Sequence, residues 1–125
     1  NKNYNHTPLL VDFTGNGISD LVWINALGPI VGYINKNDEN NNFVSIKIPR
    51  NTKFVNATVT LYLFDNTFQV RQNIIGGIGF GGDQGHLLSF GIGKKTEVKQ
   101  IIILTIYNEE IIIKNPKINI IINIK

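Results

Sequence analysis

Isoleucine fills 22 of the 125 positions in this chain, against two alanines and no methionine. β-branched side chains lose χ1 freedom in a helix and pack well on a pleated surface. Apolar residues alternate with polar ones or come in short runs, broken every 8–12 residues by Gly, Asn, Asp or Pro. That spacing predicts an all-β protein, a sandwich or a barrel, and leaves little room for helices. Strands are expected at Leu9–Phe13, Leu21–Asn25, Ile30–Asn35, Phe43–Ile48, Ala57–Phe64, Phe68–Ile74, Leu87–Phe90, Val98–Tyr107, Ile111–Lys114 and Ile118–Ile124. Thr58, Thr60 and Tyr62 alternate with Val59, Leu61 and Leu63, so that strand should keep one face wet. Asp65-Asn66 reads as a two-residue hairpin turn, because both residue types tolerate positive φ. Asn108-Glu109 should turn the next hairpin.

Asn35–Asn42 is polar and shapeless, and divides the chain into a short first unit, residues 1–42, and a larger one, residues 43–125. The larger unit is long enough to close a core of its own. Charged residues are only 17% of the chain, and 18 asparagines fill the gap. This Asn/Ile/Lys skew is the signature of an AT-rich genome, so Asn-Lys and Asn-Asn runs are discounted as functional signals. The net charge of +3 is mild, and the lysines form no stripe interleaved with aromatics. Nucleic-acid binding is therefore not expected. Without cysteine there is no disulfide framework, thiolate metal site or cysteine nucleophile. The longest apolar runs, such as Ile101–Leu104 and Ile120–Ile122, are far too short to span a bilayer. A chain that starts at Asn1 without an apolar leader reads as a segment excised from something longer, with any signal peptide or membrane anchor outside it.

One stretch gathers oxygen ligands. Asp12, Thr14, Asn16 and Asp20 stand at positions one, three, five and nine of a loop between two apolar segments, with Gly17 at position six. Such a loop can point several oxygens at one hard cation, the Ile18 carbonyl supplying another, while glycine takes the sharp bend. An EF-hand would need glutamate at position twelve, where Trp23 stands. Only Asp12 and Asp20 carry formal charge, and calcium affinity rises with ligand charge, so the expectation is a weak site. The competing reading is a turn held by hydrogen bonds to its own backbone.

Other candidates carry less. The glycine-dense stretch Gly76–His86 lacks the following helix and the Lys-Ser/Thr pair of a phosphate loop, and reads as a crossover between strands. Asp83, His86 and Ser89 contain the residue types of a hydrolase triad, but neither their spacing nor a nucleophile elbow specifies that geometry. No catalytic residue is assigned, and no cofactor apart from calcium is expected. Phe90-Gly91-Ile92-Gly93 should release a tight turn. Asn5-His6-Thr7 and Asn56-Ala57-Thr58 fit the N-glycosylation acceptor pattern.

Leu10-Val11-Asp12-Phe13-Thr14-Gly15-Asn16-Gly17-Ile18-Ser19-Asp20-Leu21-Val22 resembles the FG-GAP (VCBS-type) repeat of integrin-α-like β-propellers. The resemblance implies side-chain ligation of calcium by Asp12, Asn16 and Asp20, with Ile18 as a carbonyl ligand. Thr14 and Asn16 depart from the usual acids. Further on, Val70-Arg71-Gln72, Gly77-Ile78-Gly79-Phe80, Gln84, Leu88-Ser89-Phe90-Gly91-Ile92-Gly93 and the strand at Ile101–Ile106 are similar to the ASPIC/UnbV domain over Ala57–Ile124. The Trp-Pro-Asp-Gly turn of that domain is missing. FG-GAP repeats followed by such a domain resemble the cartilage acidic protein family. The T-cell immunomodulatory protein (Linkin) family has the same order. These resemblances imply an antiparallel β-sandwich preceded by a fragment of a propeller blade. They also imply a non-enzymatic recognition or adhesion module, secreted or on the cell surface, with a protein partner on another cell. A carbohydrate- or small-ligand-binding sandwich, with Trp23, Tyr33 or Phe80 as stacking platforms, is the alternative.

Overall fold

The computed structural model describes residues 8–15, 18–25, 27–36, 40–74 and 87–125. The described residues form ten strands: β1 (Leu9–Val11), β2 (Asp20–Trp23), β3 (Val31–Tyr33), β4 (Asn42–Lys47), β5 (Thr58–Tyr62), β6 (Phe68–Gln72), β7 (Leu87–Gly93), β8 (Gln100–Leu104), β9 (Glu110–Lys114) and β10 (Ile121–Asn123). A single 3-10 turn, Thr52–Phe54, is the only helical element among the described residues. Each strand falls within or across a stretch where the sequence predicts one.

The strands make three sheets, ordered β1-β2-β3, β10-β4-β7 and β6-β5-β8-β9. The last two face each other across one core. Val44, Ile46, Phe90 and Ile92 come from one sheet, and Val59, Leu61, Ile101 and Ile103 from the other, with Phe54 tucked between them. The side-chain period of two makes this possible. Along β5 the odd-numbered residues are buried while Thr58, Thr60 and Tyr62 stay half-exposed, as the alternation requires. Fully burying a side chain the size of Leu, Ile or Phe contributes roughly 1.5–3 kcal/mol. The driving force for folding is therefore concentrated in this sandwich. No residue of β1–β3 belongs to its core cluster.

Three details differ from expectation. The sandwich is not wholly antiparallel: β10 lies parallel to β4, with Ile121 opposite Ser45 and Asn123 opposite Lys47. The chain reaches that edge by crossing from one sheet to the other after β9, and a crossing of this kind can deliver a parallel strand where a hairpin cannot. Asn119 closes the crossing. Its amide donates to the Phe43 carbonyl at 2.7 Å, and its side-chain oxygen accepts from the Phe43 amide at 3.0 Å. The side chain thus extends the ladder by one step.

Secondly, β7 continues through Gly91 and Ile92 to Gly93 instead of turning at Phe90. Ile92, left unpaired at a bulge against Asn42–Phe43, keeps the alternation of β7 and is buried in the core, and Gly93 then takes φ +61 to end the strand. Burial of Ile92 outweighs the turn tendency of the flanking glycines. Thirdly, the hairpins at Asp65 and Asn108 have three-residue loops rather than two. The Asn66 amide donates to the Leu63 carbonyl and the Leu63 amide to the Thr67 carbonyl; Thr105, Asn108 and Glu109 repeat the pattern. In both loops asparagine takes the left-handed position, at φ 65 and 60. This is the common three-residue hairpin, a turn followed by a left-handed bulge residue.

Candidate functional site

The strands β1 and β2 are joined by the Asp12–Asp20 loop, and pairing of Val11 with Asp20 sets where the loop begins and ends. Asp20 is almost fully buried, at 1% exposure. Its carboxylate accepts two backbone N–H bonds: Oδ2 from Phe13 at 3.0 Å and Oδ1 from Asn35 at 2.7 Å. The first bond folds the loop back onto β2. The second ties in the chain that leaves β3, and the Asn35 side chain reinforces it by donating to the Ser19 carbonyl at 3.3 Å. A buried carboxylate needs hydrogen-bond donors, and these two amides supply one to each of its oxygens. Asp20 is thus the clamp of the small sheet.

The remaining predicted ligands divide. Asp12 and Thr14 come together, the Thr14 hydroxyl donating to Asp12 Oδ1 at 3.4 Å. Ile18 is half-buried on the return of the loop. Asn16 and Gly17 lie outside the described residues, and the bend that is described falls at Gly15, with φ +69. Calcium takes six to eight oxygens. Among the described residues no three His, Asp or Glu side chains gather as a metal-holding group. Asp20, the second formal charge of the loop, spends hydrogen-bonding capacity on amides. Asn35 has no counterpart in the sequence reading: it stands 15 positions from Asp20, and only the β2–β3 pairing brings it near.

A cavity of about 440 Å³ lies where the small sheet meets the sandwich, with Val11, Asp12 and Ser19 on one side and Arg71, Asn73 and Ser89 on the other. Its size falls in the range of small-molecule pockets. Much of its polar lining is already engaged. The buried Asn73 side chain donates to the Phe54 carbonyl at 2.8 Å, and Ser89 shares a 2.9 Å hydroxyl bond with Ser45. The Arg71 guanidinium sits 5.5 Å from the centre of the Phe90 ring.

Ser89, the described member of the Asp83–His86–Ser89 set, is therefore spent on a cross-strand bond. Asp83, His86 and the glycine-dense stretch lie outside the described residues. So do Asn5 and the platform candidate Phe80. Of the other platforms, Tyr33 is exposed on β3, whereas the Trp23 indole nitrogen is buried, without a hydrogen-bond partner among the described residues. Asn56 is exposed, with φ 54.

Elsewhere Lys53 and Glu109 form an exposed ion pair at 2.7 Å. At the Phe64–Asn66 loop the Lys95 ammonium, helped by the Thr67 hydroxyl and amide, holds the exposed Asp65 carboxyl well below the usual carboxylate range. Among the described residues no helix is long and apolar enough to cross a membrane.

Comparison with known proteins bears on the sandwich. No curated protein matches the chain. The sequence model of the family described as ASPIC and UnbV matches residues 48–125, more than half of the chain, and includes every strand from β5 to β10. The likeness read at Ala57–Ile124 is thereby borne out, and the chain belongs to the ASPIC and UnbV family.

Proposed function

We propose that this chain is a non-enzymatic recognition module of a secreted or cell-surface protein, in which an FG-GAP-type blade element precedes an ASPIC/UnbV sandwich. One observation carries the reading. The small sheet is organised by a buried aspartate at the ninth position of its loop, yet it leaves Leu10, Phe13, Leu27, Ile30, Tyr33 and Ile34 exposed. A sheet so poor in buried apolar surface gains stability from neighbours of its own kind, as blades do in a propeller. The partner recognised by the whole assembly is a protein on a cell surface. Immobilised full-length protein should retain cells in a saturable manner, with soluble protein competing. Retention no greater than on a blocked surface would overturn the adhesion reading.

Calcium in the loop belongs to the same proposal. Asp12 and Thr14 would supply oxygens there, with Asp20 contributing the lone pairs its amide bonds leave over. Binding to the folded state stabilises by mass action. A melting midpoint unmoved between chelator and millimolar calcium would retire the ion.

The cavity beside Arg71 supports a second reading, a small-ligand or carbohydrate site. A glycan array with the same protein separates the two, since a sugar hit without cell retention favours the cavity.

A further inference from the structure

The outward face of the β6-β5-β8-β9 sheet is more apolar than a solvent-facing sheet should be. A half-wet strand alternates, but β8 contains Ile101-Ile102-Ile103-Leu104 and β9 contains Ile111-Ile112-Ile113 without a polar break. Uninterrupted runs of this kind belong to strands covered on both faces. The core takes the odd-numbered residues. On the other side, register places Val70, Thr60, Ile102 and Ile112 in one row across the four strands. Val70, Leu104 and Ile112 are exposed, and Phe68, at the start of β6, is more than half exposed. Large side chains carry roughly 150–250 Å² when free, so these fractions amount to about 400 Å² of apolar surface. That is within the range of the largest patch on a monomer, and such patches are often functional. Together with the polar residues of the face, it approaches the ~800 Å² per partner of a standard interface.

The charges identify the occupant. On β9, Glu110 and Lys114 flank Ile112 on this face, one opposite Leu104 and the other opposite Gln100. A two-fold axis lying in the plane of contact and running across the strands through the Val70–Ile112 row exchanges the two ends of every strand. It sets Ile112 against its own copy, Glu110 against Lys114 of the second copy, and Lys114 against Glu110. We propose that this face packs on the same face of a second copy, forming an isologous two-fold dimer with an apolar centre and two inter-subunit ion pairs at one rim. Such a contact is self-complementary, as closed symmetry requires, and places two sheets face to face at the usual ~10 Å spacing. It is independent of what the small sheet or the cavity binds.

Sedimentation equilibrium over a micromolar-to-millimolar series tests it, with far-UV dichroism and melting confirming that each variant folds. The substituted positions lie on the surface, outside the core. Wild type should pass from 14.0 kDa monomer to dimer, with dissociation favoured by added salt. Glu110→Lys should weaken the dimer at least tenfold. Combining Glu110→Lys with Lys114→Glu should restore it to within about threefold, because the two-fold pairs 110 with 114. Ile112→Asp should abolish it. A wild-type chain that stays monomeric throughout overturns the proposal. So does a dimer indifferent to Glu110→Lys, or one that the double exchange fails to rescue.

Discussion

Replacing Asp20 with alanine removes the one acceptor that two backbone amides share. A hydrogen bond to a charged group contributes roughly 1.5–3 kcal/mol, and a buried donor left unpaired costs about 1–3 kcal/mol. The bonds from Phe13 and Asn35 measure 3.0 and 2.7 Å, and the carboxylate is 1% exposed. Together they put the loss at about 3–5 kcal/mol. Asp20→Asn keeps one carbonyl acceptor but turns an NH₂ group toward the other N–H, for a loss of about 2 kcal/mol. Because no residue of β1–β3 joins the sandwich core, the loss should stay local. Native-state hydrogen exchange reads this directly, since amides report the opening of the unit that holds them. In Asp20→Ala the Phe13 and Asn35 amides should exchange about two to three orders of magnitude faster, while the Leu61 and Ile103 amides keep their protection. Unchanged protection at Phe13 and Asn35 would refute the clamp. An equal loss at Leu61 and Ile103 would refute its locality.

Other consequences are as direct. The family match begins at residue 48, yet β4 precedes it, lies between β10 and β7, and gives Val44 and Ile46 to the core. A fragment beginning at residue 48 should therefore show no cooperative melting, whereas one beginning at residue 40 should melt cooperatively. Asn66 and Asn108 hold positive φ in matched hairpins; valine at either position should cost about 1–2 kcal/mol, and glycine should change chemical-denaturation stability by less than about 1 kcal/mol. Asp65 titrates below its ordinary range because Lys95 and Thr67 favour its charged form. The stabilisation is thus present above the unfolded carboxylate pKa of about 3.9 and is lost as pH falls through the lower folded value. In Lys95→Ala the Asp65 carboxyl should titrate nearer 3.9 by carbon NMR, with little change in Tm at pH 7, since the pair is exposed.

All ten strands were legible because each rests on local chemistry: isoleucine-rich segments, period-two alternation and turn residues between them. The ASPIC/UnbV likeness was legible for the same reason, since its marks are spaced along the chain. Asparagine was legible in part: Asn66 and Asn108 stand in hairpins expected from sequence, whereas Asn56, Asn115 and Asn119 carry no such local mark. The Asn-rich composition reads as genomic bias, yet every described non-glycine residue with positive φ is an asparagine: Asn56, Asn66, Asn108, Asn115 and Asn119. Its side chain tolerates the left-handed region where most others do not. The composition is biased, but these positions are used.

The loop from Asp12 to Asp20 marks the boundary between the two kinds of knowledge. Sequence alone determined that oxygen-bearing residues recur there and that the chain turns between two strands, because spacing and residue type are local properties. Tertiary structure decided that Asp20 points inward to the amides of Phe13 and Asn35, because the β2–β3 pairing brings Asn35 within reach. It also decided that β10 lies parallel to β4, and that the even-numbered residues of β8 and β9 stay uncovered while their neighbours fill the core. Runs of consecutive isoleucines offer both faces of a strand equally. Only the arrival of a second sheet on one side distinguishes them.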